Sequence, residues 1–483
     1  MTQPEYKAWE RQVRAVGGCE NPVYLRGRTV TRDAVSGEVL ALFSSASMPW
    51  GRLMVPCGNR RSARCEPCSR VYAADAFHRI RAGMVGGKGV SAQVVGHPMV
   101  WLTLTAPSFG PVHTTRADGF GNALPCRPRR GGPQCEHDVS MSCAARHGFD
   151  DPVLGTPLCA DCFDYAGAVL WNAHAGRLWH RFTDDLRRVT LPGISGLTKK
   201  EFAASVRVSF AKVAEYQRRG LVHFHGVVRL DGPDGPGTMP PGWATAAMLD
   251  SGIRSSAQRV KVVSADGVVG EQELGWGAQV DVQPVFASES NDGLAAARVA
   301  GYIAKYATKG AEIVGVVDRP VTCRKCEGTG AGGACPRCEG SGLGVVIAEL
   351  PVPAHARTLI ATAWRLGGLA EYAGLRLRPW AHQCGFGGNF STASRLYSIT
   401  RGAQKAERVA WQKERAAKDS EDAAMMLPPN AITDREWEFA GSGWSGVEAD
   451  VAAGIREQNA FNREMAAEAR TEQAWYGTDG GEA

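Results

Sequence analysis

The pattern of hydrophobic and polar positions divides the chain into helical and extended segments. Apolar residues recur at helical spacing in four segments, residues 71–84, 165–186, 294–309 and 354–367. A run rich in β-branched and aromatic residues predicts a buried strand over 99–105, and strict alternation predicts a further strand over 279–285. Alternating residues over 205–230 predict a β-hairpin, whose turn at 217–220 uses the freedom of Gly220 to adopt positive φ. The mixture indicates an α+β fold.

Length and composition bound the class of protein. A chain of 483 residues is too long for one ordinary domain. Its 44% apolar and 22% charged residues are typical of a soluble globular protein. No stretch approaches the ~18 uncharged apolar residues of a membrane helix, and the polar start lacks the apolar core of a secretory signal. We therefore expect a cytoplasmic protein with no membrane partner. The net charge of +6 permits a nucleic-acid partner without requiring one.

The pattern predicts five segments. They are a weakly ordered N-terminal arm (1–45), a main domain (46–310) with a zinc-binding insertion at about 110–165, a cysteine module (311–347), a continuation of the main region (348–400) and a helical or loose tail (401–483).

Two histidines stand on the second arm of the predicted hairpin. Side chains alternate along a strand, so His223 and His225 face one side and Phe224 faces the other. Two imidazoles ~6–7 Å apart by strand rise can share one divalent ion. Glu215, across the turn, can complete the site, and such a set suits Mg²⁺ or Mn²⁺ when phosphate oxygens and waters fill the other positions. The alternative is an incidental histidine pair beside an exposed glutamate.

Two tyrosines form a second candidate site. Tyr302 and Tyr306 lie four residues apart, so a helix places both on one face, and Lys305 and Lys309 have the same spacing. A tyrosine can act as a nucleophile and form a covalent intermediate. Its attack on a phosphodiester leaves a phosphotyrosine, which preserves the bond energy for later rejoining. The alternative is a half-buried aromatic pair.

The order of these motifs is more specific than each motif alone. The apolar strand ending at residues 102–105 precedes the histidine pair, and the tyrosine segment 302–309 follows it. This order resembles the three motifs of the HUH endonuclease superfamily, in which U is a hydrophobic residue. Within it, the chain resembles the replication initiators of actinobacterial plasmids and integrative conjugative elements over roughly residues 50 to 400.

The resemblance implies a fold and an activity. The fold is the HUH endonuclease fold, α+β with a central antiparallel sheet flanked by helices, here with inserted zinc-binding modules. The activity is rolling-circle initiation by a nickase that cuts one DNA strand at the origin. The tyrosine joins the 5′ phosphate, and a free 3′ hydroxyl serves the host polymerase. Related initiators keep only the tyrosine after the lysine, which favours Tyr306 as nucleophile with Tyr302 as partner and Lys305 offsetting charge.

The spacing of the cysteines predicts zinc binding. Two CxxCxGxG units, which resemble half of the zinc region of DnaJ-type chaperones, place Cys323, Cys326, Cys335 and Cys338 together, and two such knuckles give a tetrahedral zinc site. An earlier group predicts one or two further zinc ions. It contains Cys57, Cys65, Cys68, Cys126, Cys135, Cys143, Cys159 and Cys162. Eight thiols could form two four-cysteine sites, with His137 and His147 as candidate substitutes. Cys19 and Cys384 have no neighbours in sequence and are interpreted as plain thiols.

DNA is the expected partner. Local clusters of basic residues suit phosphate binding, and we assign Arg218, Arg219 and Lys309 to DNA contact. The chain has no GxxxxGK[ST] segment, so unwinding would need a separate host helicase. Two other hypotheses stay open. One is a zinc-dependent DNA-binding regulator without chemistry, and the other is an HUH transposase or conjugative relaxase.

Overall fold

The computed structural model of the chain describes residues 3–286, 294–310, 314–316, 319–419 and 430–476. Within these ranges it has ten α-helices, which are α1 (Gln3–Ala15), α2 (Glu66–Val85), α3 (Tyr165–Asp185), α4 (Leu191–Ser195), α5 (Lys199–Ser205), α6 (Ala246–Arg259), α7 (Ala296–Ala307), α8 (Ala354–Leu366), α9 (Arg401–Asp419) and α10 (Val447–Tyr476).

The same ranges contain fourteen strands. They are β1 (Val23–Asp33), β2 (Val39–Ser44), β3 (Leu53–Val55), β4 (Met99–Leu104), β5 (Arg116–Ala117), β6 (Ala123–Leu124), β7 (Arg207–Tyr216), β8 (Val222–Asp231), β9 (Lys261–Val263), β10 (Glu273–Gly275), β11 (Val280–Phe286), β12 (Leu294–Ala295), β13 (Ser391–Ala393) and β14 (Ala431–Ser442). The predicted α+β class is confirmed. No helix of the described residues is both long enough and apolar enough to cross a membrane.

The chain divides into two compact units, which do not follow the predicted segments. The first unit joins Met1–Asp75 to Gly402–Ala483, and the second is Ala76–Arg401. The segments predicted separately as 311–347 and 348–400 therefore fall within the second unit. Residues 46–75, which we placed in the main domain, belong to the first unit.

The first unit is built on a sheet in which β1 pairs antiparallel with β14, β2 and β3. Trp9 and Val13 of α1 pack in a core with Ala452 and Ile455 of α10. This corrects the expectation that residues 1–45 form a weakly ordered arm. Their partners lie some four hundred residues away along the chain, as Val23 opposite Ser442 illustrates, so local periodicity could not reveal them.

The second unit is built on a six-stranded sheet in the order β12-β11-β4-β8-β7-β13. All neighbouring pairs are antiparallel except β11 with β12. Trp179 of α3 packs edge-on against Phe224 of β8. His225, the next residue, instead meets Tyr302 of α7. Alternation along β8 thus separates a face that packs on the α3 core from a face that carries the candidate site.

The predicted elements near the site are confirmed. The hairpin predicted over 205–230 is β7 and β8, and Gly220 in its turn has φ of 80°. The predicted strands over 99–105 and 279–285 are β4 and β11, and the helix predicted over 294–309 contains α7. The predicted helices at 71–84, 165–186 and 354–367 correspond to α2, α3 and α8.

A fully buried ionic network closes the far end of β8. Arg229 donates from Nε to Asp231 Oδ1 at 2.6 Å and from Nη2 to Asp231 Oδ2 at 2.9 Å. His97 and Ser209 contact the same carboxylate at 2.7 and 2.6 Å. Burial by itself raises the pKa of Asp231, but the hydrogen bonds and the Arg229 charge outweigh it and lower the pKa below its usual value.

We expect Asp231→Asn to lower the free energy of unfolding by about 3–5 kcal/mol, because Arg229 loses its buried counter-charge. In the wild type the folded pKa lies below the unfolded value of about 3.9. This stabilisation is therefore present above that value and is lost as the pH falls through the folded pKa. Urea unfolding measured across acid pH checks both points. Asp234→Asn, at an exposed position, is the control and should change stability by less than about 0.5 kcal/mol.

Candidate active site

The β7–β8 hairpin places the three predicted metal ligands together. Glu215 lies directly opposite His223 in the antiparallel register, and His225 lies opposite Val213 on the same face. His223 Nε2 and His225 Nε2 are 3.1 Å apart. Glu215 Oε2 lies 3.3 Å from His223 Nε2 and 3.2 Å from His225 Nε2.

These separations fit a divalent ion with oxygen and nitrogen ligands. Adjacent donors of an octahedral ion bound at about 2.1 Å are about 3.0 Å apart. Three donors at such separations occupy one face of an octahedron and leave positions for phosphate oxygens and water. A mixed set of two imidazoles and one carboxylate suits Mn²⁺ or Mg²⁺ with phosphate as a further ligand.

The charges of the site are those that a metal requires. Burial raises the pKa of Glu215, but hydrogen bonds and charge from His223 and His225 bring it down to about 2, so the carboxylate is ionised. Burial lowers the pKa of His225, which favours the neutral imidazole. An ionised carboxylate and a neutral imidazole are the forms that coordinate metals.

Two neighbours on β4 orient His225, and sequence reasoning did not single them out. Thr103 lies opposite His225 in the register, and its Oγ1 is 2.9 Å from His225 Nδ1. The Trp101 ring stacks on the His225 ring with centroids 5.2 Å apart. A hydrogen bond to the second ring nitrogen fixes the tautomer that leaves Nε2 free to bind a metal. The sequence did not reveal that β4 pairs with β8, and this pairing brings Thr103 and Trp101 to His225.

Helix α7 places Tyr302 against two of the three donors. Its hydroxyl donates to Glu215 Oε2 at 3.0 Å and lies 3.1 Å from His225 Nε2. Burial raises the pKa of the Tyr302 phenol far above its usual value, and the nearby Glu215 carboxylate adds to the effect. The phenol of Tyr302 is therefore held in its neutral form.

Tyr306 lies one helical turn further along the same face. Its ring centroid is 4.5 Å from that of Tyr302 and 6.5 Å from that of His225. The Lys305 and Lys309 ammonium groups lie 5.6 and 5.2 Å from the centre of the Tyr306 ring. Burial raises the pKa of Tyr306 too. The structure thus brings together both predicted tyrosines and both predicted lysines.

Arg218 and Arg219, which we assigned to DNA contact, brace the fold. Arg219 donates to the backbone carbonyls of Pro107 and Ala106 at 2.7 and 2.8 Å. Arg218 donates to the carbonyls of Phe149 and Asp151. Both guanidinium groups tie the hairpin turn to neighbouring loops. The sequence could not distinguish this use, because backbone carbonyls and phosphates attract arginine through the same donors.

The CxxCxGxG module assembles as predicted. Cys323, Cys326, Cys335 and Cys338 have all four sulfur atoms within 4.8 Å of one another. The sulfur atoms of Cys326 and Cys338 are 3.6 Å apart, and those of Cys323 and Cys335 are 4.0 Å apart. Four sulfurs around zinc at about 2.3 Å are about 3.8 Å apart, so the module fits a zinc ion.

The earlier cysteines form three groups, where we expected one or two sites of four cysteines. One group corrects the interpretation of Cys19 as a plain thiol. Cys19 Sγ lies 3.7 Å from Cys65 Sγ and 3.6 Å from Cys68 Sγ, and Cys57 Sγ is 3.7 Å from Cys68 Sγ. A hydrogen bond from Cys68 lowers the pKa of Cys19 to about 5, despite burial. Because Cys19 lies 38 residues before Cys57, spacing alone could not connect it to the group.

The two other groups mix cysteine with histidine. They are His113, Cys126, Cys143 and His147, and Cys135, His137, Cys159 and Cys162. The candidate substitutes His137 and His147 are both present, whereas sequence reasoning missed His113. Of the fourteen cysteines, Cys384 alone joins no such group among the described residues.

The groups predict a zinc content that can be measured. Four groups of four ligands predict four zinc ions per chain by elemental mass spectrometry. Cys19→Ala should lose one equivalent, because three thiols bind zinc more weakly than four. Cys384→Ala, another buried cysteine, is the control and should retain the full content. An unchanged zinc content in Cys19→Ala would remove Cys19 from the ligand set.

Comparison with known proteins places the chain among replication initiators. A family model described as RepSA, replication initiator protein of pSAM2, matches residues 5–457, and the chain belongs to this family. The chain is also 41% identical to a replication initiator protein of Streptomyces ambofaciens, over 97% of its own length and 94% of that protein. No solved structure matches the chain. Membership in this family implies that DNA is a partner.

Proposed function

We propose that this replication initiator is an HUH-type nickase, which cuts one strand at its origin and joins itself to the new 5′ end. The observation that carries the proposal is the position of the Tyr302 hydroxyl, 3.0 Å from Glu215 and 3.1 Å from His225. A structural tyrosine pair would have no reason to meet a predicted metal site. A nucleophile must lie close to a metal-bound phosphate, and Tyr306 shares this face of α7, with its ring centroid 4.5 Å from that of Tyr302.

The reaction is a transesterification. A phenolic oxygen attacks the scissile phosphorus, and a tyrosine O–P bond forms. The bond from phosphorus to the 3′ oxygen breaks, and that oxygen leaves with a proton as a 3′ hydroxyl. No net bond energy is lost, so the strand can later be rejoined. The free 3′ hydroxyl is the primer that a host polymerase extends.

The hairpin residues bind and orient the phosphate. Glu215, His223 and His225 would hold Mg²⁺ or Mn²⁺, which when bound polarises the phosphate and stabilises its charge. Glu215 is a poor proton acceptor because its pKa is about 2, so we assign it to metal binding. The phenolic proton then passes to solvent water. Thr103 is a positioning residue, which acts through His225.

Tyr306 is the favoured nucleophile. The carboxylate of Glu215 contacts the Tyr302 hydroxyl directly and opposes its ionisation. Burial and Glu215 also raise the pKa of Tyr306, but the ammonium groups of Lys305 and Lys309 lie beside its ring and can offset the charge of the phenolate and the phosphate. We assign Tyr302 as a partner that can accept a strand in a second transfer. Unwinding of the origin is assigned to a host helicase.

The test is the formation of a covalent adduct. The purified protein is incubated with Mn²⁺ and a tiled set of single-stranded oligonucleotides from the replicon that encodes it. One oligonucleotide should give a protein–DNA band that survives denaturant, and EDTA should abolish it. Excess Mn²⁺ added after chelation should restore the band. If no oligonucleotide gives an adduct while DNA binding persists, the regulator without chemistry is the correct function.

A further inference from the structure

A cleft with mixed polar and apolar walls lies beside the hairpin turn, next to the candidate site. Its volume is about 640 Å³, within the range of pockets that hold small organic ligands. Its walls come from the segment after β4, the segment before β11, the hairpin turn and the loop that follows His147. Its lining includes Arg218 and Arg219 of the hairpin turn and His113 of one metal group, but none of the histidines or tyrosines of the candidate active site.

The cleft continues the face that carries the candidate site. Thr105 and Gln217 follow directly after β4 and β7, two residues beyond Thr103 and Glu215, and both line the cleft. Backbone pairing continues there, because Gly277 N–H donates to the Thr105 carbonyl at 2.7 Å and Gln217 N–H donates to the Leu221 carbonyl at 2.8 Å. Residues two apart on a strand share a face and are about 7 Å apart. A strand of DNA whose phosphate is held at the hairpin would therefore meet the cleft with its neighbouring nucleotides.

The outer wall is a loop held at both ends. His147 Nδ1 lies 2.7 Å from Asp151 Oδ2, which ties the loop to the His113 metal group. Arg218 of the hairpin turn donates to the carbonyl of Asp151 at 3.2 Å. At Gly155, with φ of 82°, an added Cβ would lie 2.4 Å from the Arg218 carbonyl carbon. The loop is therefore packed directly on the hairpin turn.

Two side chains of the cleft are available to a ligand. Phe149 lines it with 78% of its surface exposed. Among the residues that the structure describes, the Arg127 guanidinium lining the same cleft has no hydrogen-bond or ion-pair partner. Three arginines and one aspartate, Asp150, line the cleft, so its charge is positive. An exposed aromatic ring beside cationic groups is the arrangement that binds single-stranded nucleic acid, through base stacking and phosphate contact.

We propose that this cleft binds single-stranded DNA next to the cleaved phosphate, with a base stacked on Phe149 and a phosphate paired with Arg127. The proposal rests on the proposed nickase function for the position of the scissile phosphate. Its binding chemistry can be tested separately. The His113 group then has a structural role, because its His147 holds the loop that carries Phe149 beside the hairpin turn.

The test measures DNA binding without cleavage. Fluorescence anisotropy follows a fluorescein-labelled oligothymidylate added to the Tyr302→Phe/Tyr306→Phe protein, which cannot form an adduct by the proposed route. Phe149→Ala in this background should raise Kd about 5- to 100-fold, as expected for the loss of one stacked base. Arg127→Ala should also raise Kd, and should reduce the slope of log Kd against log salt by about 0.7.

Matched controls come from the same insertion. Phe120 is 94% exposed and does not line the cleft, and Arg129 is exposed and also lies outside it. Phe120→Ala and Arg129→Ala should leave Kd within about twofold, a difference of under 0.5 kcal/mol. If Phe149→Ala binds like Phe120→Ala, the proposal is wrong. It is also wrong if Phe149→Ala weakens a blunt duplex as much as the single strand.

The two proposals can fail separately. If the wild type forms an adduct but Phe149→Ala and Arg127→Ala bind the oligothymidylate normally, the cleft proposal fails and the nickase stands. If both variants weaken binding but the wild type forms no adduct, the cleft binds single-stranded DNA and the nickase proposal fails.

Discussion

Replacement of Tyr306 by phenylalanine should reduce adduct formation at least ~10³-fold, because it removes the oxygen that forms the bond to phosphorus. The ring and its packing against Tyr302 remain, so the loss cannot be attributed to a cavity. Tyr302→Phe should retain the first cleavage at a reduced rate and lose the second transfer. Quantification of the adduct on denaturing gels, with single-turnover kinetics, measures both effects.

The comparison of the two variants separates their roles. Tyr6→Phe, at an exposed position in the first unit, is the control and should leave the cleavage rate unchanged. Tyr397→Phe is less suitable as a control, because the Tyr397 hydroxyl donates a hydrogen bond to the carbonyl of Ile80. If Tyr302→Phe abolishes the first cleavage and Tyr306→Phe does not, the order of the two tyrosines is the reverse of our assignment. If the double variant still forms an adduct, the tyrosine mechanism is wrong.

Glu215→Gln should lower the cleavage rate on the order of 10³-fold, since a bound metal supplies several kcal/mol of charge stabilisation. Glutamine preserves the shape of the side chain and removes its charge. The Glu215 carboxylate raises the pKa of Tyr302, so its removal makes that phenol easier to ionise. A loss of cleavage therefore cannot be attributed to a higher pKa of Tyr302. The apparent affinity for Mn²⁺ should fall together with the rate.

A DNA-binding measurement distinguishes the loss of metal binding in Glu215→Gln from misfolding. Glu215→Gln should bind single-stranded DNA with nearly wild-type affinity, because the cleft, the basic side chains and the cysteine groups are unchanged. Glu273→Gln, at an exposed position on β10, is the matched control and should cleave normally. Full activity of Glu215→Gln at low Mn²⁺ would exclude Glu215 from the metal site.

The sequence predicted the local part of the site well. His223 and His225 share a face because side chains alternate on β8, and Glu215 faces them because the Gly220 turn sets the register of the hairpin. The two tyrosines share a face because α7 is a helix. Each inference needs only the geometry of one helix or one hairpin, which a short stretch of sequence specifies.

Nonlocal contacts could not be predicted from the sequence. Thr103 orients His225 only because β4 pairs with β8 across more than a hundred residues. Cys19 joins Cys65 and Cys68, and β1 pairs with β14 at the other end of the chain. Local pattern does not determine which strands pair or which loops meet. The extra metal groups and the first unit were therefore found only in the folded chain.

The most direct measurement identifies the amino acid that carries the DNA. The adduct formed with Mn²⁺ is digested with nuclease and protease, and the nucleotide-bearing peptide is sequenced by mass spectrometry. The proposed mechanism predicts a peptide of α7 with the nucleotide 5′ phosphate on Tyr306 and, after a second transfer, on Tyr302. A nucleotide attached to a residue outside α7 would contradict the mechanism.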